Sequence, residues 1–378
     1  MRVSVLQENL AKGLSIVNRA LTSRPSLPVL NNVLLSTEDA RLKLAVTNLE
    51  LGITAWIGAN VDVDGAITVP ARTLLDFINT LPPERIDLEL DPRTQTLKVK
   101  CNSTTANIKG IEAGQFPAVP EAEADTGTAV SAPAFQEMIN HVIFAAAKED
   151  NRPILTGVLT KFEGSTFNMV ATDGYRLSVR TTQLETPVSK ATTLIVPAKT
   201  LAELGRIISE DDNVVYVSIP PGRNQVMFHL DKVDVVSQLI DGKFPDFDQI
   251  IPKAHNTVTR IYTHDLLQAC KRAEIFARDA SNTMRVRVTP SQSNQTPGQL
   301  SIAAQSQEKG DNEAVLDVAV EGTGIDIAFN VRYLMEALNV IPEEQIILET
   351  NGPSSPGVVK PVGRDDFTYV IMPMSTTR

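Results

Sequence analysis

Apolar positions three and four residues apart open the chain. Leu10, Leu14, Val17 and Leu21 share one face of a helix. The same spacing returns at Phe135, Ile139 and Val142, and again at Leu266, Cys270 and Ala273. A second helical pattern follows each of these: Leu74, Leu75, Ile78 and Leu81, then Leu201, Leu204, Ile207 and Ile208, then Leu334, Leu338 and Ile341. These patterns predict helices over 9–22, 71–80, 134–148, 198–209, 264–278 and 330–341. Short apolar or alternating runs lie between them, such as Leu42-Lys43-Leu44-Ala45-Val46, Ile53-Thr54-Ala55-Trp56-Ile57 and Ile86-Asp87-Leu88-Glu89-Leu90. They predict strands with hairpin-scale connections. Strands outnumber helices and run in groups, so the class is α+β with mostly antiparallel sheets.

The patterns repeat as words. Val69-Pro70-Ala71-Arg72-Thr73-Leu74 recurs as Val196-Pro197-Ala198-Lys199-Thr200-Leu201, with a weaker third copy at Phe329-Asn330-Val331-Arg332-Tyr333-Leu334. Gly114-Gln115-Phe116-Pro117 returns as Gly242-Lys243-Phe244-Pro245, and Thr47-Asn48-Leu49 as Thr172-Asp173-Gly174. The spacing is about one third of the 378 residues, too long for a solenoid unit. It predicts three alike domains, 1–126, 127–253 and 254–378, each with two helices packed on antiparallel sheets. An acidic, Gly/Ala-rich stretch at 121–128 and a proline before 253–256 read as short linkers. The proline of each repeat word suits a helix start, and Asn330 suits a cap. The polar run 291–298 reads as an extended surface loop.

Composition narrows the class. With 42% hydrophobic and 21% charged residues the chain is globular, neither disordered nor fibrous. No apolar run is long enough to span a membrane, and the N-terminus lacks an apolar signal region. Two cysteines, Cys101 and Cys270, far apart in sequence, fit a reducing cytoplasm and no disulfide framework. The net charge of −10 argues against a nucleic-acid partner. Its distribution argues the other way. The six predicted helices carry Lys12, Arg19, Arg72, Lys148, Lys199, Arg206, Lys271, Arg272, Arg278 and Arg332 against only Asp76, Glu137, Glu203, Asp265, Glu274 and Glu336. Helices more basic than their strands can follow a phosphate backbone without reading bases.

No catalytic or metal motif emerges. His141, His229, His255 and His264 form no HxxxH or HExxH spacing, and no P-loop or GxSxG elbow occurs. Catalytic, metal and cofactor sites are therefore expected to be absent. The carboxylate clusters read as solvated loops, with Asp173 or Asp246 as the residues an acid/base enzyme would use. Ala171-Thr172-Asp173-Gly174-Tyr175-Arg176-Leu177 is the most motif-like polar run, and its plain reading is a turn between strands.

At Arg24-Pro25-Ser26-Leu27-Pro28-Val29-Leu30, Arg152-Pro153-Ile154-Leu155, the 171–177 run, Asp241-Gly242-Lys243-Phe244-Pro245-Asp246 and Tyr369-Val370-Ile371-Met372-Pro373-Met374, the chain resembles the bacterial replicative sliding clamps, the beta subunits of DNA polymerase III. The resemblance runs along the whole chain. It implies three clamp domains per crescent and a head-to-tail dimer forming a six-domain ring, with helices lining the hole. It implies a noncatalytic processivity factor in the cytoplasm that encircles duplex DNA, without base specificity. A clamp loader opens such rings, and polymerases and repair or ligation proteins dock through short peptides.

The family's residues carry over position by position. Arg24, Arg152 and Lys199 match DNA-contacting places, and Arg72, Lys148, Arg206 and Arg332 join them as basic helix residues. Glu149 also matches such a place, but an acid there repels phosphate. The implied peptide pocket comprises Leu155, Thr172, Gly174, Tyr175, Arg176, Leu177, Pro245, Ile250, Val370, Ile371, Met372, Pro373 and Met374. Tyr175 stands where histidine is common, and Asp248-Gln249 where some members are basic. The implied dimer contact sets Ala106 and Ile108 against Ile275 and Phe276. The rival readings are a carboxylate enzyme and a clamp-like paralogue that is no longer loaded.

Overall fold

The computed structural model describes residues 1–121, 127–149, 151–292 and 296–375. Most of the expected first linker (122–126) and the middle of the expected polar loop (293–295) lie outside the described residues. Six α-helices form: α1 Gln7–Val17, α2 Ala71–Asn79, α3 Ala132–Val142, α4 Ala198–Ile207, α5 Thr263–Ala277 and α6 Val331–Leu338. Each buries the apolar stripe that the spacing marked, such as Leu10, Leu14 and Val17 in α1 and Leu74 and Ile78 in α2.

Two helices, α1 and α3, end five or more residues short of the expected limits. α1 tightens into a 3-10 turn, Asn18–Ala20. α3 stops at Val142 and passes through the 3-10 turn Ile143–Ala145. Ala145, Ala146 and Ala147 are good helix formers, yet the Ala147 N–H donates to Leu155 O at 2.8 Å instead of continuing the helix. A tertiary partner overrides propensity here. Lys148, expected on a helix, therefore lies in the following loop. The repeat-word prolines also sit one place earlier than expected. Pro70 is the N-cap of α2 rather than a first-turn residue. Asn330 is a true cap of α6, its side-chain oxygen accepting from the Arg332 N–H at 3.0 Å.

Contacts divide the chain into two compact units, Met1–Gln136 with Lys199–Leu239, and Glu137–Ala198 with Ile240–Arg378. The first holds a five-stranded and an eight-stranded sheet, the second a twelve-stranded sheet. All named pairings are antiparallel. The sequence repeats reappear as topology. In each third, the strand before the first helix pairs with the strand after the second: Arg2–Leu6 with Arg85–Asp91, Thr128–Ser131 with Val214–Ser218, and Thr257–Tyr262 with Gln345–Thr350.

Sheets run unbroken from one repeat into the next at two joints. At the first, Val233–Gln238 pairs with Leu51–Gly58, setting Val235 opposite Ile53. At the second, Phe367–Ile371 pairs with Arg176–Gln183, setting Tyr369 opposite Ser178. Continuous sheet at both joints explains why the division by contacts falls inside the middle repeat. Two strands occupy the equivalent places without such a partner among the described residues. Thr104–Lys109 is the edge of the five-stranded sheet. Gly310–Gly322 pairs with Gly298–Ser306 on one side, while Thr257–Tyr262 covers the other side only at residues 319–322.

Candidate functional site

The second joint gathers the residues of the expected peptide groove around an apolar cluster. Its floor is the buried cluster of Leu159, Val170, Leu177, Ile195, Phe244, Val358 and Val370, with Ile154, Val179, Ile240, Phe247 and Ile250 half-buried around it. Four of these half-buried residues, Ile154, Val179, Ile240 and Phe247, were not anticipated. The signal was available in part, since Phe247 follows the Gly242-Lys243-Phe244-Pro245 repeat and Val179 is two residues beyond Leu177, on the same strand face. Leu155 and Ile371 are buried, Pro373 and Met374 half-buried, and Pro245 exposed. Tyr175 and Met372 project most, at 62% and 38% exposure. Exposed Tyr175 and Met372 beside a packed apolar floor offer contacts that suit a short apolar peptide, and methionine suits varied partners.

A compact turn fixes the groove wall. Thr172 Oγ1 accepts from the Gly174 N–H at 3.1 Å and donates to Arg176 O at 2.6 Å. The Asp173 carboxylate accepts from the N–H groups of Tyr175 and Arg176 at 2.9 and 3.1 Å and from Arg176 Nε at 3.1 Å. Asp173 is thus a turn brace, not a poised acid. Gly174 has φ +91°, where a side chain is strained. A Cβ there would also lie 3.1 Å from Arg152 Nη1, so Arg152 stands beside this turn. The wall is tied to the last strand by the Met372 N–H donating to Tyr175 O at 2.9 Å. Arg176 itself is buried. It pairs with Glu336, donates to Phe144 O at 2.6 Å and lies over the Tyr333 ring at 4.3 Å.

The first joint repeats the turn without the groove. Gln238 N–H donates to Glu50 O at 2.8 Å, matching Met372 and Tyr175. Leu49 takes the left-handed conformation of Gly174, with φ +76°. The position of Leu177 is here Gly52, and Val119 packs so closely that a Cβ on Gly52 would meet it at 2.8 Å. The chain's own segment fills that wall.

The basic candidates are all exposed. Arg72, Lys199 and Arg332 hold one and the same place, the second residue of α2, α4 and α6. No acid sits in the first turn of any of these helices. A cation at a helix N-terminus opposes the macrodipole, at about 0.3–1 kcal/mol each. Helix stability therefore does not explain a threefold-repeated cation. Arg24 lies in the loop before the 3-10 turn Pro28–Asn31. Arg206 pairs with Glu203 at 2.5 Å, Arg332 with Glu274 at 3.1 Å, and Lys148, 81% exposed, approaches Glu336 at 3.9 Å. Glu149 is exposed in the loop after Lys148.

The four candidate dimer residues are unlike one another. Ile275 is 53% exposed on α5. Phe276 is half-buried against the core of its own repeat. Ile108 is already buried and Ala106 half-buried on the Thr104–Lys109 edge strand. Among the described residues no group of three or more His, Cys, Asp or Glu gathers as metal ligands, and no helix is long and apolar enough to cross a membrane.

Three family models of the DNA polymerase III beta subunit match end to end: the N-terminal domain over residues 1–120, the central domain over 129–246 and the C-terminal domain over 248–375. The chain belongs to the DNA polymerase III beta subunit family. The beta sliding clamp of Synechocystis sp. is 31% identical over 393 residues, covering 99% of each chain. That of Pseudomonas aeruginosa is 31% identical over 375 residues, covering 99% of this chain and all of the relative. The crystal structure of the Pseudomonas aeruginosa beta subunit aligns with TM-score 0.90 at 30% identity, over 99% of this chain and 100% of that one. The Bacillus subtilis sliding clamp, at 24% identity, shares the fold with TM-score 0.93 and full coverage of both. The fold is thus the three-domain clamp fold of this family, and the carboxylate-enzyme reading falls away with it.

Proposed function

We propose that this chain is a DNA sliding clamp, a noncatalytic processivity factor. Two copies close head to tail around duplex DNA and tether polymerases and repair or ligation proteins through the groove of the second joint. A separate clamp loader opens the ring. The domains are 1–126, 127–253 and 254–378. The cytoplasm is the proposed compartment, in keeping with two buried free thiols, Cys101 and Cys270.

The observation that carries the reading is the recurrence of Arg72, Lys199 and Arg332 at one place in three alike repeats. Such cations meet phosphates without sequence preference. Arg24 and Arg152 extend that set, with Lys148 and Arg206. Ring closure is supported by the two strands that leave an edge open among the described residues. Each internal joint pairs a repeat's last strand with the preceding repeat. The last strand of the first repeat, Thr104–Lys109, and the matching acceptor in the third, within Gly310–Gly322, remain open. One copy's open edge therefore fits the other's. Ile275 and Phe276 against Ala106 and Ile108 supply the side-chain contact.

The deciding experiment loads the protein on nicked circular DNA with its loader present and measures retention before and after the circle is cut. A clamp stays on the circle and runs off the linear form. Equal loss from both forms refutes encirclement.

A further inference from the structure

The two internal joints share one plan, so they can be compared position by position through their strand registers. Where the second joint has Arg176, Arg180, Glu137 and His141, the first has Leu51, Ala55, Lys12 and Ile16. The consequence is a difference in bracing.

At the second joint, ionic side chains cross between repeats on the sheet face beside α3. Arg364 donates to Glu137 at 2.9 Å, to Glu343 at 2.8 Å and to Asp366 at 3.0 Å. Arg180 pairs with Asp366 and lies 3.4 Å from Glu137. His141 Nε2 is 2.8 Å from Val340 O, and its ring packs on Phe367. The Arg176–Glu336 pair adds a further tie. Arg176, Arg180 and His141 are buried, so water screens these ties less than surface pairs, although Glu137, Glu336 and Asp366 keep contact with solvent.

At the first joint, among the described residues, the Arg19–Glu203 pair at 3.0 Å accompanies the backbone ladder. Where the second joint is filled, a cleft of about 1150 Å³ opens, lined by Lys12, Ile16, Ala55, Trp56, Asp212 and Lys232 among others. A ladder of backbone hydrogen bonds resists separation but twists and bends readily. What stiffens it is side-chain packing on its faces, and a void supplies none.

We propose that the first joint is the hinge of the chain and the second a fixed splint beneath the peptide groove. This goes beyond the clamp reading, because it concerns the stiffness of one chain whether or not that chain forms a ring. The groove then keeps its shape while the chain bends at the first joint.

Spin labels test it. Exposed Arg93, Arg223, Glu163 and Glu308 are changed to Cys in pairs, each pair within one compact unit: Arg93 with Arg223 across the first joint and Glu163 with Glu308 across the second. Native Cys101 and Cys270 are buried and escape labelling. The labelled full-length chain is diluted with unlabelled chain, and electron–electron distances are measured. The first pair should give a distribution about twice as wide as the second. Equal widths, or a wider second pair, overturn the proposal. Arg364→Gln, checked for a native circular dichroism spectrum, should widen the second distribution toward the first. A folded variant whose second distribution stays narrow shows that the ionic splint is not the cause and overturns it as well.

Discussion

The guanidinium of Arg176 lies 4.3 Å from the centre of the Tyr333 ring. Asp173 and Glu336 hold it from two sides. Arg176→Ala strands both carboxylates and removes the stacked plane. The expected loss is about 3 kcal/mol, the low end of the range for breaking a buried pair, because Glu336 keeps contact with water. Urea unfolding followed by circular dichroism checks it. A loss within experimental error would mean that Arg176 braces nothing.

Met372 offers a cleaner probe of the groove, since it is exposed and its side chain supports little of the fold. Met372→Ala should weaken binding of a short apolar partner peptide about tenfold, from about 1.5 kcal/mol of lost apolar burial. The melting temperature should not move. Fluorescence polarisation and calorimetry on the same sample separate the two. Unchanged affinity would move the peptide site elsewhere.

The internal joints also give the register of ring closure. Val235 opposite Ile53 and Tyr369 opposite Ser178 hold the place that Ala106 and Asn312 of two copies would hold. The Ala106→Cys and Asn312→Cys pair should therefore cross-link chains under mild oxidation. The pair Ala106→Cys with Ala314→Cys, two residues out of register, should not. Ile275→Ala, which leaves the core intact, should shift sedimentation toward monomer. Preferential cross-linking of the shifted pair would refute the register.

DNA affinity should depend on salt according to which cations are already paired. Arg72 and Lys199 make no ion pair in the structure's described residues, whereas Arg206 and Arg332 face Glu203 and Glu274. Removing Arg72 or Lys199 should lower the slope of log affinity against log salt by up to about 0.9 each. Removing Arg206 or Arg332 should lower it less. Titrations at several salt concentrations, using closed circular DNA, decide between equal and unequal effects.

Acid should loosen the second joint. Burial pushes the Glu137 and Asp366 carboxyls up, but Arg364 and Arg180 more than offset it, so both titrate below the usual carboxylate range. Burial holds the His141 imidazole below its ordinary value. All three groups bind protons more weakly folded than unfolded. Their stabilisation is complete above their unfolded values and is lost as pH falls. Unfolding free energy should start to fall near pH 6.5, through His141, and drop more steeply below about pH 4. His141→Gln should flatten the upper part of that profile. A stability curve level from pH 7 to 5 would contradict the role given to His141.

The repeat words made the threefold plan legible. Leu74 and Ile78, Leu201 and Leu204, and Leu334 and Leu338 mark equivalent helices because a buried stripe must recur every turn. Lys148 was misread because a run of alanines carries helix propensity but no record of the Leu155 carbonyl that diverts it. Ile154 and Val179 went unnoticed because the groove is assembled by strand pairing across a joint, which no local window contains. The difference between the joints was equally hidden. Nothing near Ala55 or Arg180 in sequence says that one position faces a cleft and the other a network of carboxylates.

The cations at Arg72, Lys199 and Arg332 work against their own helices, and they do so once per repeat. In the proposed ring, a duplex would meet a cation at the same helix place once per repeat. Cations spread in this way would give a sliding duplex shallow ripples in place of one deep well, and a tethered polymerase would feel little drag.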